Sequence, residues 1–131
     1  MLVSRIIIIL KYYIPAVLWS FLIFFLSTMG GVNLPASWLD FIALDKVGHL
    51  VVYGLFCILL LGGFARNRTR ELKQNGIIMA LGISIIYGIG MEVVQYSFFP
   101  GRFFELPDII ANIIGSILGL YLFKRFIHKN F

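Results

Sequence analysis

Apolar residues run through this chain in four long blocks, with polar residues collected between them and at their edges. The blocks cover residues 12–29, 47–65, 76–99 and 106–123. Each approaches or exceeds the roughly 20 residues a helix needs to cross about 30 Å of hydrocarbon. The runs are continuous and lack the period-two alternation of a membrane β-barrel strand, so the pattern predicts helices. The expected fold is therefore an all-α membrane protein, with four transmembrane helices in an antiparallel bundle and one domain over residues 1–131.

Composition strengthens that reading. The chain has 60% hydrophobic and 13% charged residues, too apolar for a water-soluble surface. The single cysteine, Cys57, lies inside an apolar run, which excludes an internal disulfide and makes packing its simplest role.

Net charge is +5, but its placement points to topology rather than to nucleic acid. Arg5 and Lys11, then Arg66, Arg68, Arg70 and Lys73, then Lys124, Arg125 and Lys129 all fall on one side of the expected bundle. Only Lys46 and Arg102 fall on the other. The excess of basic residues marks the cytoplasmic side, so both termini are expected there, with the basic loops suited to anionic lipid head groups. The first block has a charged start but is long for a secretion signal and lacks a small-residue cleavage site, so it is read as a span. In the loop after it, "VNLPASWLDF" offers Trp38, Leu39 and Phe41 as an interfacial segment on the outer surface.

The polar residues inside the blocks are ordered. Side chains four apart share a helix face. Asp45, His49 and Tyr53 form one stripe on the second helix, Glu92 and Gln95 lie together on the third, and Asp108, Asn112, Gly115 and Gly119 share a side of the fourth. At 1.5 Å per residue, His49 and Asn112 lie about 6 Å inside their helix starts, and Glu92 about 12 Å below the outer end of its helix. All three stripes thus occupy one outer layer, with the inner halves essentially apolar. An ionised group facing lipid costs several kcal/mol, so the stripes are expected to face a shared outward cleft, capped by Arg102 and Glu105. Gly115 and Gly119 form a GxxxG pair that lets helices approach closely.

Two bland alternatives exist. Polar residues in bundles also serve as interhelical hydrogen-bond partners, and Asp108, just after Pro107, is placed to cap its helix. Two Asp, two Glu, a His, a Lys and an Arg in one layer exceed what structural hydrogen bonding requires.

These same residues resemble a known family. "DKVGHLVVYG", "EVVQ" and "PGRFFELPDIIANIIGSILG" look like the pattern of the VanZ-like proteins, small bacterial membrane proteins. Asp45, Lys46, His49 and Tyr53 match its first part, Glu92 and Gln95 its second, and Arg102, Asp108, Asn112, Gly115 and Gly119 its third. An aspartate often found between the arginine and the later aspartate stands here as Glu105. The resemblance implies a multi-pass protein of the bacterial cytoplasmic membrane and cell envelope, in a family whose namesake is linked to resistance to the glycopeptide teicoplanin.

Three roles suit such a cleft. As an enzyme on a lipid-linked phosphate or cell-wall precursor, it would use Lys46 and Arg102 to hold phosphate. His49 would serve as nucleophile or general acid/base, oriented by Asp45 or Asp108, with Glu92 buried deepest. The carboxylates suit a hard divalent cation such as Mg2+, while His with Asp and Glu also tolerates Zn2+. As a binding protein without catalysis, it would use the cleft to hold a lipid-linked or peptidoglycan-stem ligand or an antibiotic's polar face, with Lys46, Tyr53, Gln95, Arg102, Glu105 and Asn112 as the ligand-binding residues. As a proton-coupled carrier it would use Glu92 and His49, although an apolar inner half offers no polar path.

Overall fold

The computed structural model describes residues 7, 10–29, 38–67 and 73–130. The expected roles of Arg5, Arg68 and Arg70 fall outside these residues, as do the side chains of Trp38, Leu39 and Phe41. The regular structure among the described residues is all helical, without strands. They form α1 (Ile14–Thr28), α2 (Trp38–Asn67), α3 (Gln74–Phe98) and α4 (Leu106–Leu122), which runs on through a π-helical turn, Phe123–Ile127, and a short 3-10 turn.

Three stretches are long and apolar enough to cross a membrane: Leu44–Arg66, Gln74–Phe98 and Leu106–Ile127, with mean hydropathy 2.1, 2.1 and 1.7. At 1.5 Å per residue each reaches more than 30 Å. α1 is apolar but has 15 residues, about 22 Å of helix, because Tyr12 and Tyr13 form a turn before it and Pro15 sits in its first turn.

One boundary differs substantially from the pattern. α2 begins at Trp38, nine residues before the apolar block, so residues 38–46 extend the second helix where an interfacial loop was expected. Charge marks where a span leaves hydrocarbon, but nothing in "WLDFIALDK" stops a helix from continuing into water.

The packing is that of a protein turned outward. Ile86, Phe21 and Phe98 are exposed, whereas Ser84, Glu92, Gln95, Asp108, Asn112 and Ser116 are buried. Such a broad apolar exterior would be insoluble in water and is the expected surface against acyl chains. α2 and α4 pack most closely, and glycine is the reason. A Cβ on Gly115 would collide with the carbonyl of Leu50, and one on Gly119 with the carbonyl of Gly54, so the two backbones touch. In lipid, where van der Waals contact replaces hydrophobic driving force, this approach is a main source of association. α1 is fastened differently, by side chains reaching backbone oxygens. Trp19 donates to the Val52 carbonyl at 3.0 Å, and Tyr87 to the Ser20 carbonyl at 2.7 Å. Between α3 and α4, Gly101 adopts φ 86°, a left-handed turn that glycine takes without strain.

Candidate functional site

The contact that seats Gly115 against Leu50 also fixes the polar layer. His49 precedes Leu50, and Asn112 lies almost one turn before Gly115, so their side chains meet across the seam. His49 Nδ1 lies 3.0 Å from Asn112 Oδ1. The oxygen can only accept, so Nδ1 donates to it and Nε2 is the ring nitrogen left to face the rest of the pocket. Tyr53 lies one turn further along α2, its ring parallel to the imidazole with centroids 6.4 Å apart.

Nε2 faces two carboxylates. It lies 3.7 Å from Asp108 Oδ2 and 3.9 Å from Asp45 Oδ1. The other oxygens of both aspartates turn to Lys46, whose Nζ donates to Asp108 Oδ1 and stands 3.3 Å from Asp45 Oδ2. The same ammonium reaches Glu105 Oε2 at 2.7 Å. Lys46 thus joins three carboxylates, and Asp45 and Asp108 each bridge the lysine to the histidine.

This geometry decides the capping question. Glu105 is the N-cap residue of α4 and makes no side-chain cap bond, while the Asp108 carboxylate goes to Lys46 on α2. Asp108 is a tertiary partner rather than a local cap.

Glu92 joins from α3. It is 1% exposed, and its Oε2 accepts the backbone N–H of Glu105 at 3.4 Å, which ties the deepest carboxylate to the start of α4. Asn112 is likewise 1% exposed, and its Nδ2 has no hydrogen-bond partner. Room for that amide comes from Gly88, where a Cβ would lie 2.9 Å from Nδ2.

The structure therefore gathers Asp45, Lys46, His49, Tyr53, Glu105, Asp108 and Asn112 at one end of the bundle, with Glu92 joined through the Glu105 amide. Two other residues expected at the cleft point elsewhere. Gln95 donates to the Ser27 carbonyl at 3.1 Å, and Arg102 to the Met29 carbonyl at 3.4 Å. Both satisfy carbonyls at the end of α1, where a helix leaves its last oxygens without internal partners. The pattern also passed over a buried pair nearer mid-span. The Ser84 and Ser116 hydroxyls lie 2.7 Å apart, and Ser116 donates on to the Asn112 carbonyl at 2.8 Å. A serine in an apolar run carries little signal alone. Its spacing from Asn112, four residues on the same face, was the readable clue.

Among the described residues, Asp45, His49 and Asp108 are the group able to hold a metal ion, their ligand atoms all within 4.8 Å of one another. A recess of about 110 Å³ at the opposite end of the bundle is lined mostly by apolar residues such as Ile58 and Phe123, with Arg66 among them. The titratable cluster is at the other end.

The family model described as VanZ/LLP1 matches residues 7–128. The chain belongs to the VanZ/LLP1 family. It is also 37% identical over 78 residues to an uncharacterised protein, C11E3.10, of the fission yeast Schizosaccharomyces pombe (strain 972 / ATCC 24843). That match takes in 60% of this chain and 45% of the relative, so the chain spans about half the length of the curated relative it matches. The relative is eukaryotic, so similarity of this kind is not confined to bacterial proteins. No solved structure matches this VanZ-family chain.

Proposed function

We propose that this VanZ-family protein is a membrane enzyme acting at the outer leaflet on a lipid-linked phosphate or pyrophosphate intermediate of the cell wall or envelope. In this reading residues 1–131 form one VanZ-like domain in the bacterial cytoplasmic membrane. Four antiparallel spans leave both termini in the cytoplasm, in keeping with the basic residues of the termini and of the loop around residues 66–73.

One observation carries the reading: an imidazole nitrogen facing two carboxylates, beside an ammonium, at one end of a bundle whose exterior is apolar. An isoprenoid or acyl chain can lie against that exterior while its polar head reaches the Lys46 cluster at the end of the bundle. The reaction is hydrolytic. Water oxygen attacks phosphorus, the bond from phosphorus to the leaving oxygen breaks, and the proton lost by water ends on that oxygen. Nε2 of His49 and the facing oxygens of Asp45 and Asp108 converge on the position from which the water is activated, and Asn112 holds the ring. Lys46, rather than Arg102, is the cation assigned to phosphate, because Arg102 serves the end of α1. Glu92 supports the start of α4 through the Glu105 amide. Action on a cell-wall precursor would alter susceptibility to teicoplanin, whose own fatty chain also seats in the membrane.

A second reading, head-group binding without turnover, is supported by the Nδ2 of Asn112, a buried donor with no protein partner. Phosphate release separates the two. Purified protein in lipid nanodiscs is supplied with a polyprenyl pyrophosphate, and the parent is compared with His49→Ala. The enzymatic reading expects release by the parent to exceed that of the variant by about 10²-fold or more. Equal release by both, or none by either, rejects it.

A further inference from the structure

The pocket is unbalanced in charge. Asp45, Glu105 and Asp108 converge on the single ammonium of Lys46, a formal excess of two negative charges at the edge of a membrane span. Uncompensated charge in so apolar a setting costs several kcal/mol. It would also repel the phosphate of any substrate.

The orientation of His49 sharpens the problem. With Nδ1 committed to Asn112 Oδ1, Nε2 faces two carboxylate oxygens. At 3.7 and 3.9 Å those oxygens are beyond hydrogen-bond reach. A ring nitrogen and two carboxylate oxygens directed at one point, with the nitrogen beyond hydrogen-bond reach of both, describe the surroundings of a cation.

We infer that His49 Nε2, Asp45 Oδ1 and Asp108 Oδ2 bind one divalent first-row cation of the Mn2+ or Zn2+ class. The spacing fits. Donors about 2.1 Å from a tetrahedral ion stand roughly 3.4 Å apart, so the two histidine–carboxylate edges need close by only a few tenths of an ångström, and the edge between the carboxylates, within 4.8 Å, by at most about 1.4 Å. The two positive charges offset the excess of the three carboxylates around Lys46. Lys46 does not compete for the position, because it holds the opposite oxygen of each aspartate and so orients both ligands. Asn112 does the same for the imidazole from its far nitrogen, the arrangement usual around histidine ligands. An imidazole among the donors favours Mn2+ or Zn2+ over Mg2+, which prefers an all-oxygen shell. Three protein ligands leave further positions for water or a phosphate oxygen. The ion's part in catalysis rests on the hydrolytic reading above, but its binding does not and is measured without substrate.

Mn2+ is titrated into the full chain in nanodiscs of zwitterionic lipid, and free Mn2+ is followed by electron paramagnetic resonance. One ion per chain is expected, displaced by Zn2+, with nitrogen modulation from an imidazole in the spin-echo spectrum. His49→Ala should lose that modulation and weaken binding at least tenfold. Asp45→Asn, at the more exposed aspartate, should weaken it while leaving the helical circular dichroism unchanged. An unchanged free-Mn2+ signal with the parent overturns the inference, and so does His49→Ala binding as tightly as the parent. If Mn2+ binds as described while no phosphate is released, the cation site stands and the hydrolytic reading falls.

Discussion

His49 and Asn112 are joined nitrogen to oxygen at 3.0 Å across the α2–α4 seam, and this one bond selects which imidazole nitrogen faces the carboxylates. Nitrogen-15 spectra of histidine-labelled protein, with His128 replaced by Gln to leave one signal pair, report it directly. In the parent the protonated nitrogen near neutral pH should be Nδ1. Asn112→Ala removes the acceptor and should shift the ring toward the Nε2–H form, in which the proton meets Asp45 and Asp108. A parent already in that form would mean that Asn112 does not set the tautomer.

The bond depends in turn on glycine. Gly115→Leu places a side chain where the Leu50 carbonyl now lies, so the helices must separate. Overpacking of this kind costs about 1–3 kcal/mol, and it should also abolish the His49–Asn112 coupling. Gly82→Ala is the control, because nothing lies within 4 Å of a Cβ there. Thermal unfolding in detergent should show a lower midpoint for the first variant and parent-like behaviour for the second. Equal behaviour of the two would remove the close backbone approach from the account.

α1 is expected to respond to α3 rather than to the pocket. Gln95→Ala deletes a bond to the Ser27 carbonyl, and Tyr87→Phe one to the Ser20 carbonyl. Polar bonds between membrane helices average about 0.6 kcal/mol and rarely exceed about 1.7. Each variant should lose about that much stability while retaining the nitrogen-15 signature of His49. Loss of that signature in Gln95→Ala would place Gln95 in the pocket after all.

That contrast marks where the sequence could be read and where it could not. Asp45, His49 and Tyr53, like Asp108, Asn112 and Gly115, are spaced by three or four residues on helices. Rigid geometry alone puts each set on one face, and the cost of polar groups in lipid turns those faces together. Glu92 was legible for the same reason. Gln95 and Arg102 were not, because their partners are the carbonyls of Ser27 and Met29, and every residue carries a carbonyl. The start of α2 at Trp38 was hidden because hydropathy reports where lipid ends, not where a helix does. Ser84 and Ser116 escaped notice because a hydroxyl in a helix is normally satisfied by its own backbone, as Ser116 partly is.

Glu105 is the member of the lysine cluster whose loss should matter least. Its side chain is 49% exposed, against 8% for Asp108, so water can take over from Lys46 when the charge is removed. Glu105→Gln should change stability by less than about 1 kcal/mol. A larger loss would make Glu105 a structural anchor of α4.

The central claim is that charged groups from separate helices meet each other, and the Lys46–Asp108 pair tests it most directly through a double-mutant cycle. Lys46→Met, Asp108→Leu and the double variant are compared with the parent by unfolding in one detergent. Lys46→Met strands the buried Asp108 carboxylate, Asp108→Leu takes from Lys46 its most buried partner, and the double change removes both members of the pair. The account predicts that the double variant is more stable than the sum of the single losses implies, by about 1.5 kcal/mol or more. Losses that add to within about 0.5 kcal/mol would show two independent side chains and contradict it.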